Sequence, residues 1–136
     1  NFGTDIDGSL GTVPGLDPTN PAASAMAKIG EANGFAGGDA FVGESYDAAA
    51  LMLLAMASAK SSDPQVYKDH IMKVANGTGE KIYPGELAKG IKLASYGVAI
   101  DYVGASSVSL IGPGEAAGNF REIQIQNGKM VDVNYR

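Results

Sequence analysis

Several things are missing from these 136 residues, and each absence removes a class of function. There is no cysteine, which excludes disulfides, structural thiolate metal sites and cysteine nucleophiles together. It says little about compartment. There is a single histidine, His70, set among helix-spaced neighbours, so it reads as a structural side chain and no Ser-His-Asp set is assembled around it. Lysine and arginine never cluster, and the net charge is −5. Nucleic acid is therefore a poor partner, because neutralising phosphates takes grouped cations. The longest apolar run, Ala48 to Ala57, falls far short of the roughly 20 residues that span a bilayer. No P-loop, dinucleotide fingerprint or EF-hand spacing occurs. The acidic groups Asp5/Asp7, Glu44/Asp47 and Asp132 are scattered, and most read as solvated surface charge. Neither a metal site nor a cofactor is expected.

Glycine is abundant, at 19 residues, about double an average share of roughly 7%. That points to tight turns and close backbone approaches. The most apolar stretch, Phe41 to Ala59, is expected to be the central buried helix, with Ser45 as its N-cap and Asp47 in its first turn complementing the helix dipole. Leu51, Met52, Leu53, Leu54 and Met56 point round most of its circumference, so cover is expected on several sides. The glycine-rich loop from Gly34 to Gly43 leads into it and must bend sharply or lie close to something.

A strand is expected over Ser9 to Val13. Asn20-Pro21 starts a helix with Ala22, Ala25, Met26 and Ile29 inward, stopping near Asn33-Gly34; Gly30 weakens its last turn. Asp63-Pro64 starts another, carrying Tyr67, Ile71, Val74 and Ala75 and ending at Asn76-Gly77. The sequon Asn76-Gly77-Thr78 coincides with that cap and carries little weight. Pro84 opens a fourth, with Leu87, Ile91 and Ala94 inward and Gly97 at its end. The pattern then changes: a strand at Ser107 to Leu110, a turn over Ile111 to Gly118, and alternation over Phe120 to Gln126. Asn127-Gly128 predicts a hairpin returning through Val131, Val133 and Tyr135. The expected order is one strand, four helices, then strands. One strand is too little surface for four helices, so further strands upstream and exposed apolar patches are expected.

Glu44-Ser45-Tyr46-Asp47-Ala48-Ala49-Ala50-Leu51, together with Gly8-Ser9-Leu10-Gly11-Thr12, Asn20-Pro21, Val74-Ala75-Asn76-Gly77, Gly85 to Gly90, Ile100 to Ser106 and Asn127-Gly128-Lys129, runs in the order and spacing of one family. The chain resembles the C-terminal part of solute-binding proteins of bacterial ABC importers for branched-chain amino acids and amides, the type I periplasmic binding proteins. The resemblance implies an α/β fold, a Rossmann-like lobe as a C-terminal fragment, in which residues 1–120 complete the N-terminal-type lobe and 121–136 form a closing β-hairpin toward the other lobe. It implies a small-molecule solute, an amino acid or amide, held between two lobes without turnover, docking on an ABC permease, and a periplasmic or exported location. The chain opens at Asn1, and the expectation is a piece of a longer protein whose signal peptide is removed and whose N-terminal part is its own partner. A sensor domain of the same fold, or a small α/β enzyme, is the alternative. In open α/β folds ligands sit where loops and helix N-termini converge. That character belongs here to the loop entering the central helix, so Phe41 is expected to supply an apolar wall, with Glu44 and Tyr46 as polar ligand contacts.

Overall fold

A computed structural model describes residues 3–112 and 115–135. The protein is mixed α/β, with small sheets. Its elements, in chain order, are β1 (Leu10–Pro14), α1 (Pro21–Asn33), α2 (Val42–Ala59), α3 (Pro64–Ala75), β2 (Glu80–Ile82), α4 (Leu87–Ser95), β3 (Ile100–Tyr102), β4 (Ser109–Gly112), β5 (Glu115–Ala117), β6 (Phe120–Gln126) and β7 (Lys129–Tyr135).

The expected order is thus corrected. Two strands, β2 and β3, lie among the helices and pair in parallel, with α4 as the crossover between them. A parallel pair needs such a crossover. Both strands are three residues long, and in Glu80-Lys81-Ile82 only Ile82 is buried, so no run of alternating apolar residues marks it. The turn expected over Ile111 to Gly118 contains β5, which pairs antiparallel with β4; its Pro113-Gly114 portion lies outside the described residues. The third sheet has the order β1-β6-β7, antiparallel throughout. The hairpin from residue 120 onward is thereby laddered to β1 at the other end of the chain.

Local chemistry explains several element ends. Asn20 caps α1, its side chain accepting from the Ala22 amide at 2.9 Å, and Asp63 caps α3 by accepting from the Gln65 amide at 2.9 Å. Each is followed by proline at the first helical position, where the missing N–H costs nothing. Gly34 ends α1 in the left-handed region at φ 76°. Asn127 and Gly128 have φ 54° and 71°, the two positive values that a type I′ turn requires. The glycine-rich loop folds back on α1: a Cβ at Gly37 would overlap the Met26 carbonyl, and one at Gly30 the Gly37 backbone. Gly30 is therefore a contact point between α1 and this loop, beyond being a weak place in the helix.

The core lies between α2, α3, α4 and the β2–β3 pair, built from Ala50, Leu51, Leu54, Ala55, Val74, Ala75, Ile82, Ala94, Ile100 and Tyr102. Tyr67 and Ile71 of α3 pack half-buried against it. On α4 Gly90 takes the inward place and Ile91 faces out, correcting the expected face. Gly90 is needed there because a Cβ would meet Leu54 and Ile82 side chains at 2.7 and 2.9 Å. The central helix is less enclosed than its composition implies: Leu54 is fully buried, whereas Leu53 is 44% exposed and Met52 is exposed as well. No residue of β1, β6 or β7 is fully buried. No helix of the described residues is long and apolar enough to cross a membrane.

Candidate functional site

The start of α2 departs from expectation. The helix begins at Val42, after Phe41 in the left-handed conformation at φ 68°, with no side-chain cap. Ser45 is inside the helix and its amide donates to the Phe41 carbonyl at 3.0 Å. The loop delivers the chain into a left-handed turn that closes the first helical hydrogen bonds directly. For a bulky residue that conformation is uncommon and unfavourable by about 1 kcal/mol or more. It turns the Phe41 side chain outward, where it is largely exposed and walls a cavity.

That cavity measures about 390 Å³, within the few-hundred-Å³ range of small-molecule sites. It runs between the first three turns of α2, the β4–β5 hairpin and the start of β6. Phe41, Leu51, Val108, Leu110 and Phe120 supply apolar surface, and Glu44, Asp47, Ser106 and Asn119 are its polar groups. Of the three expected contacts, Phe41 and Glu44 both line it and Tyr46 does not. The Tyr46 hydroxyl instead accepts a hydrogen bond from the Gly85 amide at 2.9 Å, tying α2 to the turn before α4. Residues 44 and 46 point about 200° apart around a helix of 3.6 residues per turn.

Asp47 is the largest surprise. It is 1% exposed, in the second turn rather than the first, and so is neither a solvated charge nor a first-turn carboxylate. Oδ1 accepts from the Tyr102 hydroxyl at 2.7 Å and the Ala105 amide at 3.0 Å; Oδ2 accepts from the Ser106 amide at 2.8 Å and the Ser106 hydroxyl at 2.6 Å. Four donors are what make a buried carboxylate tolerable. Burial, with the Asp47 charge adding to it, pushes the Tyr102 phenol well above its ordinary range, so it stays a donor. From the other side Asn20 donates to the Gly104 carbonyl at 3.2 Å and the Ser107 hydroxyl at 2.8 Å. The loop after β3, one wall of the cavity, is thus clamped by the starts of two helices. Gly104 leaves room for this, since a Cβ there would overlap the Asp47 carboxylate. The only sequence signal was the small-residue run Gly104-Ala105-Ser106-Ser107 following a strand too short to notice.

Other acidic groups are engaged too. Asp7 accepts from the Asn127 and Gly128 amides at 2.9 and 2.8 Å, clasping the hairpin turn, and Asp132 pairs with Arg121 at 3.1 Å. His70 shares a hydrogen bond of 2.8 Å with Ser58 between α2 and α3. No acid orients that ring among the described residues, so the pair lacks the third member of a hydrolytic triad. Asn76 both donates to the Leu110 carbonyl at 2.6 Å and accepts from the Leu110 amide at 3.1 Å, pinning the end of α3 to β4. Among the described residues no three His, Asp or Glu side chains gather as a metal site. No family model, curated protein or solved structure matches the chain.

Proposed function

We propose that this chain belongs to the solute-binding component of an ABC importer, a Rossmann-like lobe of the type I periplasmic binding protein kind, which holds an amino acid, amide or related small molecule without turnover. The observation that supports this reading best is the apolar cavity at the mouth of α2. It is large enough for a small solute, and its walls are positioned by the Asp47 and Asn20 clamps instead of being left to loop motion. In this proposal the rest of a two-lobed protein supplies the opposing wall, the closed form docks on a membrane permease, and the protein works in the periplasm or exported cell envelope. Phe41 provides apolar surface next to the solute, and Tyr46 supports the helix from behind.

The test is calorimetric titration with a panel of amino acids, amides, ureas and aromatic acids, followed by mass spectrometry of the recovered solute. Saturable binding with the solute recovered unchanged is expected. Phe41→Ala should then weaken binding at least tenfold, about 1.4 kcal/mol, while Tyr46→Phe leaves it within twofold. Conversion of the solute, or full affinity in Phe41→Ala, sinks the proposal.

A further inference from the structure

We infer that the α2 cavity selects a solute with a positively charged nitrogen head and an apolar body, the head lying against Glu44. This rests on the solute-binding reading above. Glu44 and Asp47 are three residues apart on α2, so they share a helix face, and both line the cavity. Their states differ. Both Asp47 oxygens are occupied by neutral protein donors, which satisfy its lone pairs and leave its charge in place. The Glu44 Oε2 is shielded from solvent and has no hydrogen-bond partner. A desolvated carboxylate oxygen with no donor is unfavourable, and the carboxyl rotates easily about its last torsion. Glu44 also lines the cavity, so a donor placed there lies beside its carboxylate.

The other lining groups decide what kind of donor that is. No lysine, arginine or histidine is among the described residues of the cavity. The Ser106 hydroxyl is already given to Asp47, and one of the two Asn119 N–H groups to the Ser107 hydroxyl. A solute carboxylate would therefore face two negative charges with a single neutral N–H of Asn119 to offset them. A cation meets the positive end of α2, but that end is equivalent to about half an elementary charge, set against two full carboxylates. The balance favours a cation. Leu51, Val108, Leu110 and Phe120 then bury the body.

Four probes sharing one branched hydrocarbon body separate the possibilities: isopentylammonium, isopentanol, 4-methylpentanamide and 4-methylpentanoate, titrated at pH 7 with ligand-observed NMR. The ammonium is expected to bind at least tenfold tighter than the alcohol and the amide, and the carboxylate weakest. The isosteric Glu44→Gln should erase the ammonium preference while leaving alcohol affinity within twofold, and Ala48→Leu, which narrows the cavity, should weaken all four. Equal binding of alcohol and ammonium, a preference for amide or carboxylate, or an ammonium preference that survives Glu44→Gln overturns this inference and leaves the solute-binding reading standing. No binding of any probe overturns this inference; only if the broader panel also fails does the solute-binding reading fall with it.

Discussion

Leu54 on α2 has no exposed surface, whereas Leu10 on β1 is 76% exposed, and the two residues typify the regions around them. Among the helices, side chains from α2, α3, α4, β2 and β3 close over one another into a core. In the β1-β6-β7 sheet the strands are joined by ladder hydrogen bonds, but Leu10, Met130, Val131, Val133 and Tyr135 stay exposed. The helical region is stabilised by burial, with Asp47 as a polar pin at its edge. The sheet is specified by backbone pairing, the Asn127-Gly128 turn and the Asp7 clasp. Stability in this chain is therefore local to one region, and register is what defines the other.

The sharpest way to break this contrast is Leu54→Ala. With full burial it should destabilise by about 2–5 kcal/mol, read as a lower urea midpoint at unchanged slope; a change under about 1 kcal/mol would mean that the helical core is not the seat of stability. Asp47→Asn ranks next. It keeps the shape but replaces one acceptor oxygen by an amide that faces existing donors, and charge-assisted hydrogen bonds contribute about 1.5–3 kcal/mol. Chemical denaturation of this variant should fall in that range, together with altered backbone shifts at Ala105 and Ser106.

A pH dependence follows from Tyr102. Its folded-state pKa is raised, first by burial and then by Asp47, so the unfolded chain loses this proton first, near pH 10. Above that the unfolded state binds fewer protons than the native state, and stability falls as pH rises. Below it the contribution is fully present. The loss between about pH 10 and 11 should be smaller in Tyr102→Phe than in the parent, and identical slopes would refute the buried pairing. The smallest effects belong to exposed apolar positions: Leu53→Ala on α2 and Val133→Ala on β7 should each stay within about 0.5–1 kcal/mol. A large loss at Val133 would show that the sheet carries packing of its own.

How much of this was legible in the sequence depends on how local its cause is. Asn20-Pro21, Asp63-Pro64, Gly34 and Asn127-Gly128 ended or turned their elements as their chemistry requires, because each acts on residues within one turn. The start of α2 was misplaced since Ser45 is a good cap in isolation, while the chain used the left-handed Phe41. The strands β2 and β3 were invisible because three residues carry no period. For the candidate site, the loop before the helix points to Phe41 and Glu44, which both line one cavity, and to Tyr46, which the helix turns away toward Gly85.

Composition and spacing alone determined the mixed α/β class, the Asn20 and Asp63 caps of two helices and the Asn127-Gly128 hairpin, and excluded cysteine chemistry, since these follow from what each residue does to its own backbone. Only the tertiary structure decided that Asp47 is buried, that β1 pairs with β6 from the far end of the chain, and that α2, β4, β5 and β6 enclose a cavity. Those outcomes depend on groups 55 or more residues apart, such as Asp47 with Tyr102. Desolvation and hydrogen-bond satisfaction are settled by which partners fold into reach, and neighbours along the chain do not carry that information.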